Sequence, residues 1–142
     1  MNVQTYLFFD GRTEEALEFY RTAVGATDIQ IMRNRESPEP PPPGSLPPGS
    51  ENKVMHSSFR VGDTVVMASD GRCQGKAQFA GFGLAITVTS EADAQRIFDA
   101  LAQGGQVQMP LTKTFFSPQF GMVADRFGVG WMVMVDDGRR RG

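Results

Sequence analysis

Residues 6–25, YLFFDGRTEEALEFYRTAVG, carry the reading on which the fold turns. Tyr6-Leu7-Phe8-Phe9 is an aromatic and aliphatic run of the kind that forms a buried strand, and Asp10-Gly11 closes it with turn chemistry. Thr13 reads as an N-cap, followed by Glu14 and Glu15 where the helix dipole favours negative charge. Ala16, Leu17, Tyr20, Ala23 and Val24 then return at helical spacing, and Gly25 supplies the stop. The same order recurs over residues 83–105, GLAITVTSEADAQRIFDALAQGG. A shift of 77 lays Thr13 on Ser90, Tyr20 on Ile97 and Val24 on Leu101.

Working outward, Ile29–Met32 predicts a second strand, and Met55–Val61 with Thr64–Ser69 predict a hairpin across Gly62-Asp63. In the second copy Ser90 caps a helix with Asp93 three residues on. Val107–Phe116 follows as a strand, and Phe120–Asp125 pairs with Gly130–Val135 across Arg126–Val129. Each half therefore reads as a βαβββ module. Modules this short cannot bury their apolar faces alone, so two copies are expected to share a core and leave a ligand cleft between them. The fold class is α+β, a single domain over residues 1–142 with modules of about 1–75 and 76–136. Seven of the nine prolines fall between Pro38 and Pro48, so residues 36–52 read as a flexible insertion rather than core. Residues 137–142, with Arg139, Arg140 and Arg141, read as a solvated basic tail.

Composition narrows the function classes. A net charge of −2 recruits no nucleic acid, and no apolar run is long enough to cross a bilayer. The first residues lack the basic and apolar regions of a signal peptide, and a lone cysteine, Cys73, permits no intrachain disulfide. A cytoplasmic protein is expected. Arg72 and Lys76 would favour the Cys73 thiolate, but no Cys–His spacing accompanies it, and it reads as an incidental exposed thiol.

Tyr6-Leu7-Phe8-Phe9-Asp10-Gly11, Glu15–Tyr20, Gly25-Ala26, Ser69-Asp70, Gly81-Phe82, Thr114-Phe115-Phe116 and above all Phe120–Trp131, FGMVADRFGVGW, resemble PhnB-like proteins. These belong to the vicinal-oxygen-chelate superfamily, with glyoxalase I, extradiol dioxygenases and bleomycin-resistance proteins. The likeness spans nearly the whole chain and departs mainly at the proline-rich insertion. It implies an open, cup-shaped mixed sheet built from the paired modules. It also implies a homodimer and a subgroup labelled 3-demethylubiquinone 3-methyltransferase-like. A methyltransferase of the dinucleotide-fold type needs a glycine-rich strand-to-helix turn, and Asp10-Gly11-Arg12-Thr13 lacks the spaced glycines.

Metal-dependent members of the superfamily hold a divalent ion with His, Gln and Glu, two from each module. The matching positions here fall near Gln4 or Thr5, Phe82 or Gly83, and Trp131 or Met132, of which only Gln4 offers a plausible oxygen ligand. No metal and no cofactor are expected. The reading is a metal-independent protein binding an unidentified small organic ligand through His56, Asp70, Phe82, Phe116 and Trp131. The alternative is an enzyme of the same superfamily, a metal-assisted lyase or dioxygenase, or a methyltransferase. His56, the one histidine, shares a strand face with Ser58 and Arg60; it and Asp70 are the catalytic candidates, as base and orienting group. Their blander roles are a satisfied structural histidine and a loop-start cap. Trp131, Phe82, Phe115, Phe116 and Phe120 suit an aromatic ligand wall, whereas Phe8, Phe9, Tyr20 and Phe98 read as core.

Overall fold

The computed structural model describes residues 1–39, 42, 44, 48–71 and 76–136. Cys73, Arg72 and the basic tail lie outside the described residues, as does part of the proline-rich insertion. The chain divides into two compact units, Met1–Ala77 and Gln78–Gly142. The first runs β1 (Tyr6–Phe8), α1 (Thr13–Ala23), β2 (Thr27–Arg33), β3 (Val54–Val61) and β4 (Thr64–Ser69). The second runs β5 (Leu84–Val88), α2 (Glu91–Ala102), β6 (Gln106–Thr112), β7 (Phe120–Ala124) and β8 (Gly130–Val135). Both are βαβββ, as the repeat predicts. Each carries its own four-stranded mixed sheet, in the order β1-β4-β3-β2 and β5-β8-β7-β6. The outer strand that precedes each helix, β1 or β5, is parallel to its neighbour, and the other pairs are antiparallel.

The period-2 alternation of the strands decides what the helices cover. In the first unit Leu7, Ala68, Val66, Ser57 and Phe59 are buried, together with Ala16, Leu17, Tyr20 and Ala23 on one stripe of α1. Tyr20 stacks on Phe59 with ring centroids 5.7 Å apart. Removing each such large side chain from water is worth about 1.5–3 kcal/mol. Phe8 points the other way and is 57% exposed, so it is not a core residue. A strand with Leu7 and Phe9 facing inward must turn its intervening residue outward.

Thr13 is not the cap of α1. It is the first helical residue, its Oγ1 is buried with no hydrogen-bond partner among the described residues, and its N–H donates to Asp70 Oδ1 at 2.9 Å. The β1–α1 turn that sets this geometry passes through Asp10 and Gly11, both at positive φ (52° and 97°), which favours glycine at the second position. Asp70 Oδ2 accepts a second backbone bond from Val54 at 2.7 Å. One buried carboxylate thus joins the start of α1, the start of β3 and the end of β4. Ser90 does cap α2, accepting from the Asp93 N–H at 3.1 Å.

The second unit packs α2 through Ala94, Ile97, Phe98 and Leu101 against a sheet face bearing Val123, Trp131 and Val133. The helix approaches β7 so closely that a Cβ at Gly121 would stand 2.7 Å from the Phe98 ring.

The proline-rich insertion starts and ends at paired single turns, Asn34–Glu36 and Ser50–Asn52. Asn34 donates from Nδ2 to the Ser50 carbonyl at 2.7 Å and from its backbone N–H to that of Lys53 at 3.0 Å. Arg33 donates to the Asn52 carbonyl at 3.0 Å and to Glu14 at 2.8 Å. The hydrogen bond and charge of Glu14 raise the Arg33 pKa above its usual value.

Two stability outcomes follow from these bonds. Asp70→Ala leaves two buried backbone donors without a partner, and urea unfolding is expected to lose about 2–4 kcal/mol. Replacing residues 38–48 by a short Gly-Ser link leaves the Asn34 clasp in place, and the melting temperature is expected to stay within a few degrees, since loop length costs little. A loss as large as that of Asp70→Ala would show that the insertion itself supports the body.

Candidate functional site

A cavity of about 360 Å³ lies wholly within the second unit. Met122 and Ala124 of β7, Gly130 and Met132 of β8, and Gln108 of β6 present it on the face opposite α2. The segment Phe79–Gly83 forms its other wall, with the Phe79 and Phe82 rings edge-to-face at 6.5 Å. Small residues make the space: Gly130 and Ala124 sit side by side in the β7–β8 register and leave room above the sheet. Among the described residues no lining side chain is charged, and Gln108 carries the one side-chain amide. Such a surface accepts a flat, neutral, apolar molecule with a single hydrogen-bonding group.

The sequence-predicted contacts divide between the units. Phe82 is 51% exposed and borders the cavity. Trp131 borders it too, but its indole is buried and donates from Nε1 to Asp125 Oδ2 at 2.9 Å. Asp125 is itself buried, and its Oδ1 accepts the N–H groups of Phe127 (2.9 Å) and Val129 (3.1 Å), closing the β7–β8 turn. Phe116 does not line this cavity; it packs edge-on between Phe115 and Phe120 at 5.1 and 5.0 Å.

His56 and Asp70 belong to the first unit. Asp70 is 3% exposed, and both of its oxygens are taken by the backbone bonds described above. His56 is exposed on β3, where its Nδ1 lies 3.1 Å from the Tyr6 hydroxyl. No bond joins His56 to Asp70 among the described contacts; the histidine's partner is the phenol of β1.

Phe79, Gln108 and Met122 join the site without being singled out by the sequence reading. Two signals pointed to them: the Phe79-x-x-Phe82 pair among glycines, and the alternation that sets Met122 opposite Val123. Tyr6 was hidden within a run that reads as uniformly buried.

Of the positions that the resemblance marks for a metal, Gln4 offers an amide oxygen and the others offer poor donors. Phe82 and Gly83 offer no side-chain ligand, Trp131 commits its N–H to Asp125, and Met132 offers only a thioether. Among the described residues no three His, Cys, Asp or Glu side chains are grouped to hold an ion. The described residues at these positions do not fit a divalent ion.

Comparison with known proteins places the chain in a class first. Its fold is that of the glyoxalase and fosfomycin-resistance proteins. At 18% and 10% identity the likeness is in fold alone, to a glyoxalase-related enzyme from Fulvimarina pelagi (TM-score 0.60) and to FosX from Listeria monocytogenes (TM-score 0.65). Nearer relatives share sequence as well. Protein PA1353 from Pseudomonas aeruginosa is 38% identical with a TM-score of 0.81, covering 96% of this chain and 98% of that one. The putative 3-demethylubiquinone-9 3-methyltransferase, PhnB protein, from Bacillus cereus is 26% identical with a TM-score of 0.74, covering 96% and 100%. Protein YjdN of Escherichia coli (strain K12) is 31% identical over 140 residues, 95% of each chain. The chain belongs to the PhnB-like family described as 3-demethylubiquinone-9 3-methyltransferase, which matches residues 1–134. No helix among the described residues is long and apolar enough to cross a membrane.

Asp125 holds Trp131 at the edge of the cavity, and this has a spectroscopic consequence. Asp125→Asn sets an amide donor against the indole N–H or against the two turn N–H groups. Unfolding is expected to cost about 2–3 kcal/mol less than in the parent chain, and the emission of the one tryptophan is expected to shift to the red.

Proposed function

We propose that this chain is a metal-independent small-molecule-binding protein whose ligand occupies the cavity of the second unit. The single observation that supports the reading is the cavity's lining: about 360 Å³ walled by Phe79, Phe82, Met122 and Met132, with Gln108 as the one side-chain amide. That volume lies at the small end of organic ligand sites. Phe82 supplies a ring face, the methionines an adaptable wall, and Gln108 a polar group to orient the guest. Trp131 and Asp125 act from behind, keeping the β7–β8 turn in shape. The protein works as a homodimer in this reading, because β1, β2, β5 and β6 each lie at a sheet edge that a partner copy would cover.

The family's description names a methyl transfer. A dinucleotide-type fold turns the N-terminus of its first helix toward the cofactor, and here the Asp70 carboxylate fills that end of α1. Binding without transfer is therefore the reading adopted.

N-phenyl-1-naphthylamine, neutral and bearing one N–H, is a suitable probe. Its fluorescence is expected to rise saturably on addition of the full-length protein while Trp131 emission falls. Phe82→Ala is expected to weaken binding about tenfold, from the loss of roughly 1–1.5 kcal/mol of ring contact. Saturation that is indifferent to Phe82 would remove the cavity from the argument. Elemental analysis of protein purified without chelator is expected to find no stoichiometric zinc, manganese, nickel or iron; finding one would overturn the metal-free reading.

A further inference from the structure

The two units have diverged on the faces their helices leave open. β3 and β7 hold the same place in their sheets, third in each order. On that open face β7 carries Phe120, Met122 and Ala124, whereas β3 carries His56, Ser58 and Arg60. The strand at this place carries an apolar row in one unit and an imidazole and a guanidinium in the other.

The surroundings of His56 are not those of an ordinary solvated residue. Its Nδ1 is 3.1 Å from the Tyr6 hydroxyl, and the two rings lie 5.7 Å apart. Tyr6 in turn packs on Phe8 with centroids 4.8 Å apart, so Phe8, Tyr6 and His56 form a row of three rings tilted by 33–34° from one to the next. Phe8 is 57% exposed, and Met32, directly opposite His56 in the β2–β3 register, is 39% exposed. A row of rings beside an uncovered thioether offers a platform to a flat guest. A phenol that donates to Nδ1 leaves the ring proton of a neutral imidazole on Nε2, as a donor. Arg60, paired through Nε with Asp28 at 3.1 Å, adds a cation four residues along the strand on the same face.

We infer that the Tyr6–His56 pair on the open face of the first unit is a recognition site for a planar aromatic carboxylate. The ring of the guest lies against Phe8 and Tyr6, and its carboxylate accepts from His56 Nε2. Tyr6 is a positioning residue, holding the imidazole in the tautomer that donates outward. This goes beyond the neutral-ligand reading of the other site and stands independently of it.

The chain has one histidine and one tryptophan, one beside each site, so each has a private reporter. Unlabelled 1-naphthoate is titrated into isotopically labelled full-length protein, following the His56 ring carbon and nitrogen resonances and the Trp131 indole N–H. A saturable shift of the His56 signals with the indole unmoved is expected. Neutral 1-naphthamide is expected to bind at least tenfold more weakly, and Phe8→Ala to weaken naphthoate by a similar factor. Tyr6→Phe, which keeps the ring and removes the donor, is expected to move the His56 nitrogen shifts toward a tautomer mixture before any ligand is added and to weaken naphthoate several-fold. A His56 resonance unmoved at millimolar naphthoate would overturn the site. So would equal binding of the amide, a Tyr6→Phe variant with unchanged nitrogen shifts, or a response confined to Trp131. Failure of the neutral probe at the cavity leaves these readouts unaffected.

Discussion

A buried carboxylate that accepts backbone N–H groups is the interaction on which each unit depends. The βαβββ order forces the chain through sharp connections, and each leaves donors that water cannot reach. Asp70 takes two of them in the first unit, from Thr13 and Val54. Asp125 takes two in the second, from Phe127 and Val129, and adds the Trp131 indole. Burying a carboxylate is expensive unless its lone pairs are filled by good donors. Here they are filled, and the cost of the charge becomes a tie between segments as much as 57 residues apart.

Once those ties hold the connections, strand alternation distributes everything else. One face of each sheet is given to a helix, with Leu17 and Tyr20 on α1 and Ile97 and Phe98 on α2. The opposite faces are free to vary without disturbing the core, and they have varied. The second unit spends its open face on methionine, glycine and alanine beside Phe79 and Phe82, which makes a cavity. The first spends its own on Tyr6, Phe8 and His56, which makes a row of rings ending in an imidazole. A repeated scaffold with similarly packed helix-facing sides can thus carry two unlike surfaces, as one fold can host several chemistries.

Much of the architecture was legible. The helical spacing in residues 13–25 and 90–105, the Ser90 cap and the Gly62-Asp63 hairpin all appear where local pattern put them. The misreadings share a cause. Thr13 looked like a cap because it sits before an acidic first turn, but the carboxylate that performs the task comes from the end of β4. Phe8 looked like core because all four residues of its run are apolar or aromatic; hydrophobicity alone does not say which side of a short edge strand is covered. Asp70 and Trp131 have their polar atoms engaged within the fold, which chemistry alone does not reveal, and Trp131 still borders the cavity. Phe82 borders that cavity as well.

The amino-acid order by itself determined the elements and the repetition of their order. Those properties reside in spacing and in side-chain chemistry, and both are local. Only the tertiary structure decided that Asp70 caps α1, that Tyr6 partners His56 across 50 residues, and that Met122 and Met132 share a wall with Phe82. Each of those pairings is created by strand order and register, which bring together side chains that no short-range pattern connects.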